Sequence, residues 1–133
     1  MSAKEVKADR KYTKDHEWAR LADGVLTVGI TAFAVDQLGD ITLVNFDVAV
    51  GDKVREGAAF GTIESVKTLS DLFAPVNGTV LALNPKLDNQ PELINEDCWE
   101  AGWMLQLKCD ADLDVAALLD DAGYLAHVAS SEH

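Results

Sequence analysis

Lys67 is the residue whose setting most invites chemistry. In GTIESVKTLSDLFAPVNGTV, residues 61–80, it is the only cation, and it stands between two strand-like runs that lead into the turn-rich Ala74-Pro75-Val76-Asn77-Gly78 segment. An amine so placed is either a solvated surface group or the anchor of something covalently attached. A swinging-arm carrier has definite requirements. Its acid is joined to a lysine ε-amine, so the amine must be open to a modifying enzyme. It should stand at the tip of a tight hairpin held by a rigid sheet, because positional precision comes from the scaffold. TIESVKTLSDLF supplies candidate strands on both sides of Lys67, and Gly51 and Gly78 offer turn points of a mirrored hairpin. Acylation removes the charge of the lysine and adds a long uncharged arm.

The other reactive side chains form no convincing site. Cys98 and Cys109 do not make a disulfide framework and read as two thiols, with no base evident beside either. His16, His127 and His133 have no metal spacing relative to the cysteines. Asp15-His16-Glu17-Trp18 begins like a zincin but lacks the second histidine four residues on. No phosphate-binding glycine loop and no G-x-S-x-G elbow is present. A small hydrolase or transferase using Cys98 or Cys109 remains a rival reading, and alkylation of both thiols discriminates it, since a carrier is indifferent to that treatment.

The elements that must position Lys67 read as mainly β. HEWARLADGVLTVGIT gives two short strands around Asp23-Gly24, a strong hairpin signal, with Trp18, Val25, Leu26, Val28 and Ile30 on the apolar faces. TAFAVDQLGD (31–40) reads as a short helix, with Thr31 as N-cap and Gly39 just past its end. ITLVNFDVAV (41–50) is β-branched and partly alternating, hence a strand. Gly51-Asp52, Gly57, Gly61 and Asn77-Gly78 punctuate runs of four to eight residues, the mark of compact β structure with tight turns. NPKLDNQPEL reads as a loop, and WMLQLKC (103–109) as the last strand. Over DADLDVAALLDDAG, Leu113, Ala116, Ala117 and Leu119 fall at helical spacing behind acidic residues that suit a first turn, and Gly123 ends that helix. YLAHV adds a further turn before a frayed tail.

Size and charge set limits on function. The 133 residues are 48% hydrophobic and 26% charged, with a net charge of −12. One domain's worth of chain therefore has enough apolar material for a core. Residues 1–20 hold six Lys/Arg against four Asp/Glu, which leaves five against nineteen over the rest. Such a surface repels phosphate backbones, so nucleic-acid binding is disfavoured. No apolar run reaches membrane-spanning length and no secretory h-region is visible. Glu5, Asp9, Asp15 and Glu17 argue against an intact transit peptide, and the chain reads as cytoplasmic. It reads as one carrier-sized domain over 1–133, with 1–11 mobile and 129–133 a frayed tail.

VGDKVREG (50–57), Glu64-Ser65-Val66-Lys67 and Ala74-Pro75-Val76-Asn77-Gly78-Thr79-Val80 together resemble the lipoyl/biotinyl-attachment pattern. Within that group the chain is similar to the glycine cleavage system H protein family. The resemblance is carried by YTKDHEW (12–18), VGIT (28–31), QLGD (37–40), ESVK (64–67), SDLFAPVNG (70–78), QPELINED (90–97) and the Gly-Trp at 102–103. It runs from about residue 12 to residue 128, and the order and spacing of the motifs make it specific. Biotin carriers usually have methionine on both sides of the lysine, where this chain has Val66 and Thr68. Lipoyl domains of the oxo-acid dehydrogenases usually show Asp-Lys-Ala and lack the His-Glu-Trp start.

The resemblance implies a flattened hybrid barrel-sandwich of antiparallel sheets with a short internal helix and a C-terminal helix. It implies a non-catalytic carrier bearing lipoic acid as N6-lipoyllysine at Lys67. Glu64 and Gly51 match positions that help a lipoate ligase, or a lipoyl or octanoyl transferase, recognise its target. Asp15, Glu17 and Asp71 match positions around a cleft that shelters the loaded arm, although Asp15 stands where other members can carry serine. The implied partners are a glycine decarboxylase using pyridoxal phosphate, an aminomethyltransferase using tetrahydrofolate, and the FAD-containing dihydrolipoyl dehydrogenase. The aminomethyl group of glycine passes between the first two, and the third reoxidises the dithiol; the carrier is expected to be a monomer. A lipoate store that relays the cofactor, or another lipoyl/biotinyl carrier, needs the same lysine. His16 reads as structural, and Trp18 and Trp103 as core. CWEAGW (98–103) departs from the family's usual Pro followed by Tyr or a small residue and reads as surface variation.

Overall fold

The computed structural model describes residues 5–111 and 115–131. Its framework begins at the Asp23-Gly24 turn, where φ of 54° and 80° puts both residues in the left-handed region. That turn matches the twist of strands, and it joins β2 (Glu17–Ala22) to β3 (Val25–Ile30) in register from Glu17↔Ile30 to Ala22↔Val25. Trp18 faces Gly29 across this pair. A Cβ at position 29 would come within 2.6 Å of the indole ring, so the glycine is what lets the ring lie flat on the strand. The indole Nε1–H donates to the Cys98 carbonyl at 2.9 Å.

The short helix α1 (Ala32–Leu38) follows, as its end signals predict. Thr31 caps it by accepting the Ala34 N–H at 3.2 Å, which satisfies one of the orphan donors of the first turn. It closes at Gly39, whose N–H donates to the Val35 carbonyl. Next come β4 (Ile41–Phe46), β5 (Lys53–Val54), β6 (Ala59–Ser65), β7 (Leu69–Phe73), β8 (Gly78–Leu83) and β9 (Leu105–Cys109). With β1 (Lys11–Tyr12) they form two antiparallel sheets. One has six strands in the order β1-β2-β3-β9-β8-β5, and the other has three in the order β4-β6-β7. Leu26, Val28, Val80, Leu105 and Leu107 of the larger sheet and Val44, Phe60, Ile63 and Leu72 of the smaller belong to one buried cluster. Each such side chain contributes about 1.5–3 kcal/mol by leaving water.

Several local expectations are corrected. Strand β4 stops at Phe46 rather than residue 50, because Ala49 N–H donates to the Asp52 carboxylate and Asp52 N–H to the Ala49 carbonyl, which closes a turn. The Pro- and Asn-rich loop holds a 3-10 turn at Pro85–Asp88, capped by Asn84, and the single-turn helix α2 (Leu93–Glu96). CWEAGW is only partly at the surface, with Glu100 and Ala101 exposed. Cys98 and Trp99 are buried, and the Trp99 carbonyl accepts from the buried Arg10, whose guanidinium lies 4.6 Å from the Trp18 ring centroid.

The C-terminal helix, α3 (Asp121–Ser131), begins where the periodicity had it end. Val115 and Ala116 are helical, but Leu119 exchanges backbone hydrogen bonds with Tyr12 at 2.8 and 2.9 Å, which interrupts the helical run before α3. Asp120 then caps the helix by accepting the Gly123 N–H at 2.7 Å. Gly123 therefore lies inside α3, and Ala129–Ser131 belong to the helix rather than to a frayed tail. Leu113 of the earlier pattern, and residues 1–4, 132 and 133 of the expected mobile ends, lie outside the described residues.

Candidate functional site

Lys67 occupies the turn between β6 and β7. The two strands pair through Glu64↔Leu69, and Ser65 N–H donates to the Thr68 carbonyl at 2.8 Å. The Ser65 hydroxyl accepts the N–H groups of Lys67 at 3.1 Å and Thr68 at 3.2 Å. A serine side chain thus ties the tip together and leaves the lysine side chain uninvolved. Val66 N–H donates to the Asp40 carbonyl at 3.0 Å, which pins the tip to the chain leaving α1. Among the described residues the Lys67 side chain makes no hydrogen bond or ion pair, and it is exposed.

Beside this hairpin lies a cleft of about 380 Å³. Asp15, His16 and Glu17 come to it from the segment entering β2, Phe33 and Leu38 from α1, and Ile63, Ser70 and Asp71 from the β6–β7 pair. All three carboxyl residues expected at a sheltering cleft therefore line one cavity. Asp15 and Asp71 are exposed.

Glu17 is different. It is only 2% exposed, and its Oε2 accepts the Phe73 N–H at 2.7 Å. Its Oε1 is buried and, among the described residues, has no hydrogen-bond partner. Burial is the main reason its pKa is pushed up to about 8, the charge of Asp15 adds to the rise, and the Phe73 N–H opposes it. A carboxyl left half-satisfied inside a cleft favours its neutral form, and its ionised form would welcome a donor or a cation.

Glu64 and Gly51 are not in the cleft. Glu64 is exposed on β6, flanked by Leu43 and Leu69 on the neighbouring strands. Gly51 has φ of 94°, a conformation favouring glycine, in the turn before β5, where its N–H donates to the Val80 carbonyl. Two residues at or next to the cleft escaped the sequence reading as site residues. His16 was read as structural, yet it lines the cavity. Tyr124 of α3 places its hydroxyl 2.8 Å from His16 Nδ1 and 2.7 Å from Thr31 Oγ1. Its one sequence signal is a phenol ring in an otherwise largely aliphatic and acidic C-terminal stretch, which says nothing of a partner 108 positions away.

Two antiparallel sheets sharing one core, with a lysine presented by a tight hairpin, define the lipoyl/biotinyl-type sandwich class. The particular family follows from comparison. Residues 10–131 match the family model described as glycine cleavage H-protein. The glycine cleavage system H protein of Anaeromyxobacter sp. (strain K) is 45% identical over 128 residues, covering 96% of this chain and 99% of that one. The probable glycine cleavage system H protein of Natronomonas pharaonis is 48% identical over 125 residues, covering 94% and 98%. The crystal structure of a glycine cleavage system H protein from Mycobacterium marinum superposes with a TM-score of 0.83 at 35% identity, covering 96% of this chain and all of that one. This chain belongs to the glycine cleavage H-protein family, the lipoyl carriers of the glycine cleavage system.

Proposed function

We propose that this chain is the non-catalytic carrier of a glycine cleavage system, bearing lipoate in amide linkage on Lys67 Nζ. The observation that carries the reading is the pairing of an unengaged, exposed amine on a rigid hairpin with an adjacent cleft holding a partnerless carboxyl oxygen. The bound lipoyl group supplies a disulfide that takes up the aminomethyl group of glycine from a pyridoxal-phosphate decarboxylase and yields it to a tetrahydrofolate-dependent aminomethyltransferase. The FAD-containing dihydrolipoyl dehydrogenase restores the disulfide.

The residues present fit that group. The Ser65 knot and the Val66–Asp40 hydrogen bond fix where an arm starts, and its free length swings from there. Glu17 answers an arriving ammonium by releasing its proton to solvent water, so that a carboxylate in low dielectric faces a cation. Asp15 and Asp71 add negative charge to the same cleft, and the apolar wall of Ile30, Phe33, Leu38 and Ile63 limits water. Glu64 stands beside the target lysine for the attaching ligase or transferase to read, and Gly51 sets a turn on the same recognition account. No helix of the described residues is long and apolar enough to cross a membrane. The proposed setting is a cytoplasmic monomer that meets its partner enzymes in turn.

The test is mass spectrometry of protein made in lipoylating cells, alongside Lys67→Arg. The wild-type Lys67 peptide should carry one lipoyl mass. The arginine variant should carry none, keep the wild-type thermal transition and support no glycine cleavage. Glycine cleavage sustained by the arginine variant ends the proposal.

A further inference from the structure

The directions of the protons around His16 follow from counting donors and acceptors. Thr31 is fully buried. Its Oγ1 accepts the Ala34 N–H as the cap of α1, so its hydroxyl hydrogen needs an acceptor, and among the described residues the Tyr124 oxygen at 2.7 Å supplies it. Tyr124 keeps its own hydrogen for His16 Nδ1 at 2.8 Å. The chain therefore runs from Thr31 to Tyr124 to His16, and the imidazole carries its proton on Nε2. The reverse order, with Nδ1–H donating to Tyr124 and Tyr124 to Thr31, strands the Thr31 hydrogen inside the protein.

We propose that Tyr124 is a positioning residue for the cleft: from the C-terminal helix it holds His16 as a neutral imidazole, so that a cavity serving a cationic arm gains no competing positive charge. This rests on the carrier reading above. An imidazolium and an ammonium sharing one small cleft repel each other. Protonating Nδ1 would require the whole hydroxyl chain to turn round at the expense of the buried Thr31 hydrogen. The surroundings push the same way. Burial, and then the His127 ring 5.5 Å away, hold His16 below its ordinary 6.5, while Asp15 pulls upward. The other ionisable groups facing this region are Glu17 and Asp71 across the cleft, and His127, whose Nε2 lies 3.0 Å from the Lys14 carbonyl. The Tyr124 phenol is pushed up to about 12, chiefly by burial, so it remains an O–H donor throughout. His16 itself sits at φ 66°, where asparagine is well tolerated. His16→Asn thus keeps the backbone and offers Oδ1 to Tyr124, with nothing to protonate.

The first measurement uses the uncharged protein and nitrogen–proton NMR correlations of the His16 ring. The expected result is an Nε2–H tautomer at neutral pH with a titration midpoint below the ordinary value. In Tyr124→Phe the midpoint should move upward and the tautomers should mix. A wild-type ring with its proton on Nδ1, or an unmoved midpoint in the phenylalanine variant, overturns the proposal whatever Lys67 carries. The second measurement follows the lifetime of the methylamine-charged protein against pH. Tyr124→Phe should add a several-fold shortening on the acid side of its own His16 midpoint, and the double variant with His16→Asn should lose that step. Equal shortening at every pH, or a step that survives in the double variant, assigns Tyr124 to packing alone and overturns the proposal. A wild-type chain whose Lys67 never takes an acyl group ends the carrier reading and the purpose assigned to Tyr124 with it; the tautomer result is scored separately.

Discussion

The stem of Lys67 lies over Gly39: a Cβ built on that glycine would stand 3.3 Å from Lys67 Cε and 3.6 Å from Cδ. The residue that closes α1 is therefore also the floor beneath the lysine. Its φ of 77° and ψ of −152° fall in a region essentially reserved for glycine. Gly39→Ala should cost about 1–3 kcal/mol of stability through backbone strain, and it should push the lysine stem aside. Urea unfolding and the rate of enzymatic acylation at Lys67 check the two effects, and both are expected to fall. An alanine variant matching wild type in both would remove the role given to this contact.

Glu17 makes stability depend on pH with a definite sign. Its carboxyl is pushed up to about 8 from 4.5, so between those values the native state holds a proton that the unfolded chain has lost. Stability therefore falls as pH rises through that window and levels off above it. Glu17→Gln imitates the neutral acid and keeps an acceptor for the Phe73 N–H. Relative to wild type it should be roughly equal in urea stability near pH 5 and more stable by a few kcal/mol near pH 9. A difference that does not grow with pH would contradict the burial argument.

Asp71 is exposed at the cleft, so its influence on a cation there is that of a solvated charge. Asp71→Asn should leave acylation of Lys67 unchanged. It should shorten the lifetime of the methylamine-charged protein by up to roughly fivefold, the scale of a surface ion pair of up to about 1 kcal/mol. Timed release of the label from charged protein measures it.

Cys98 should behave as an inert core residue. It is buried, and its thiol is pushed up to about 12, mainly by burial and then by the charge of Asp97, so little of the reactive thiolate exists at neutral pH. Iodoacetamide should spare Cys98 in the native protein and modify it in urea, as read by peptide mass spectrometry. Rapid native labelling at Cys98 would reopen the thiol-enzyme reading.

Whatever depends on a few neighbouring residues was legible in the sequence. Asp23-Gly24 specifies its hairpin through backbone conformation, Thr31 and Gly39 bracket α1 through capping, and the alternation around Lys67 yields paired strands with the lysine at their turn. The C-terminal helix shows where such reasoning stops. Helical spacing before residue 120 is realised at Val115 and Ala116, but the Tyr12–Leu119 hydrogen bonds interrupt it, and the Asp120 cap starts α3 downstream. Arg10 likewise reads as one more surface charge until Trp18 and Trp99 enclose it.

By itself, then, the order of residues settled the strand-rich plan, the family, and a lone amine on a hairpin. Only the folded chain decided that Glu17 is buried rather than solvated, since its partner is a backbone N–H 56 positions on. It alone brought Tyr124 to His16 and gathered three carboxyl residues around one cavity. The reason is physical: turns and caps are satisfied within a few bonds of chain, whereas desolvation, pKa and cavity shape are set by whatever distant segments pack alongside.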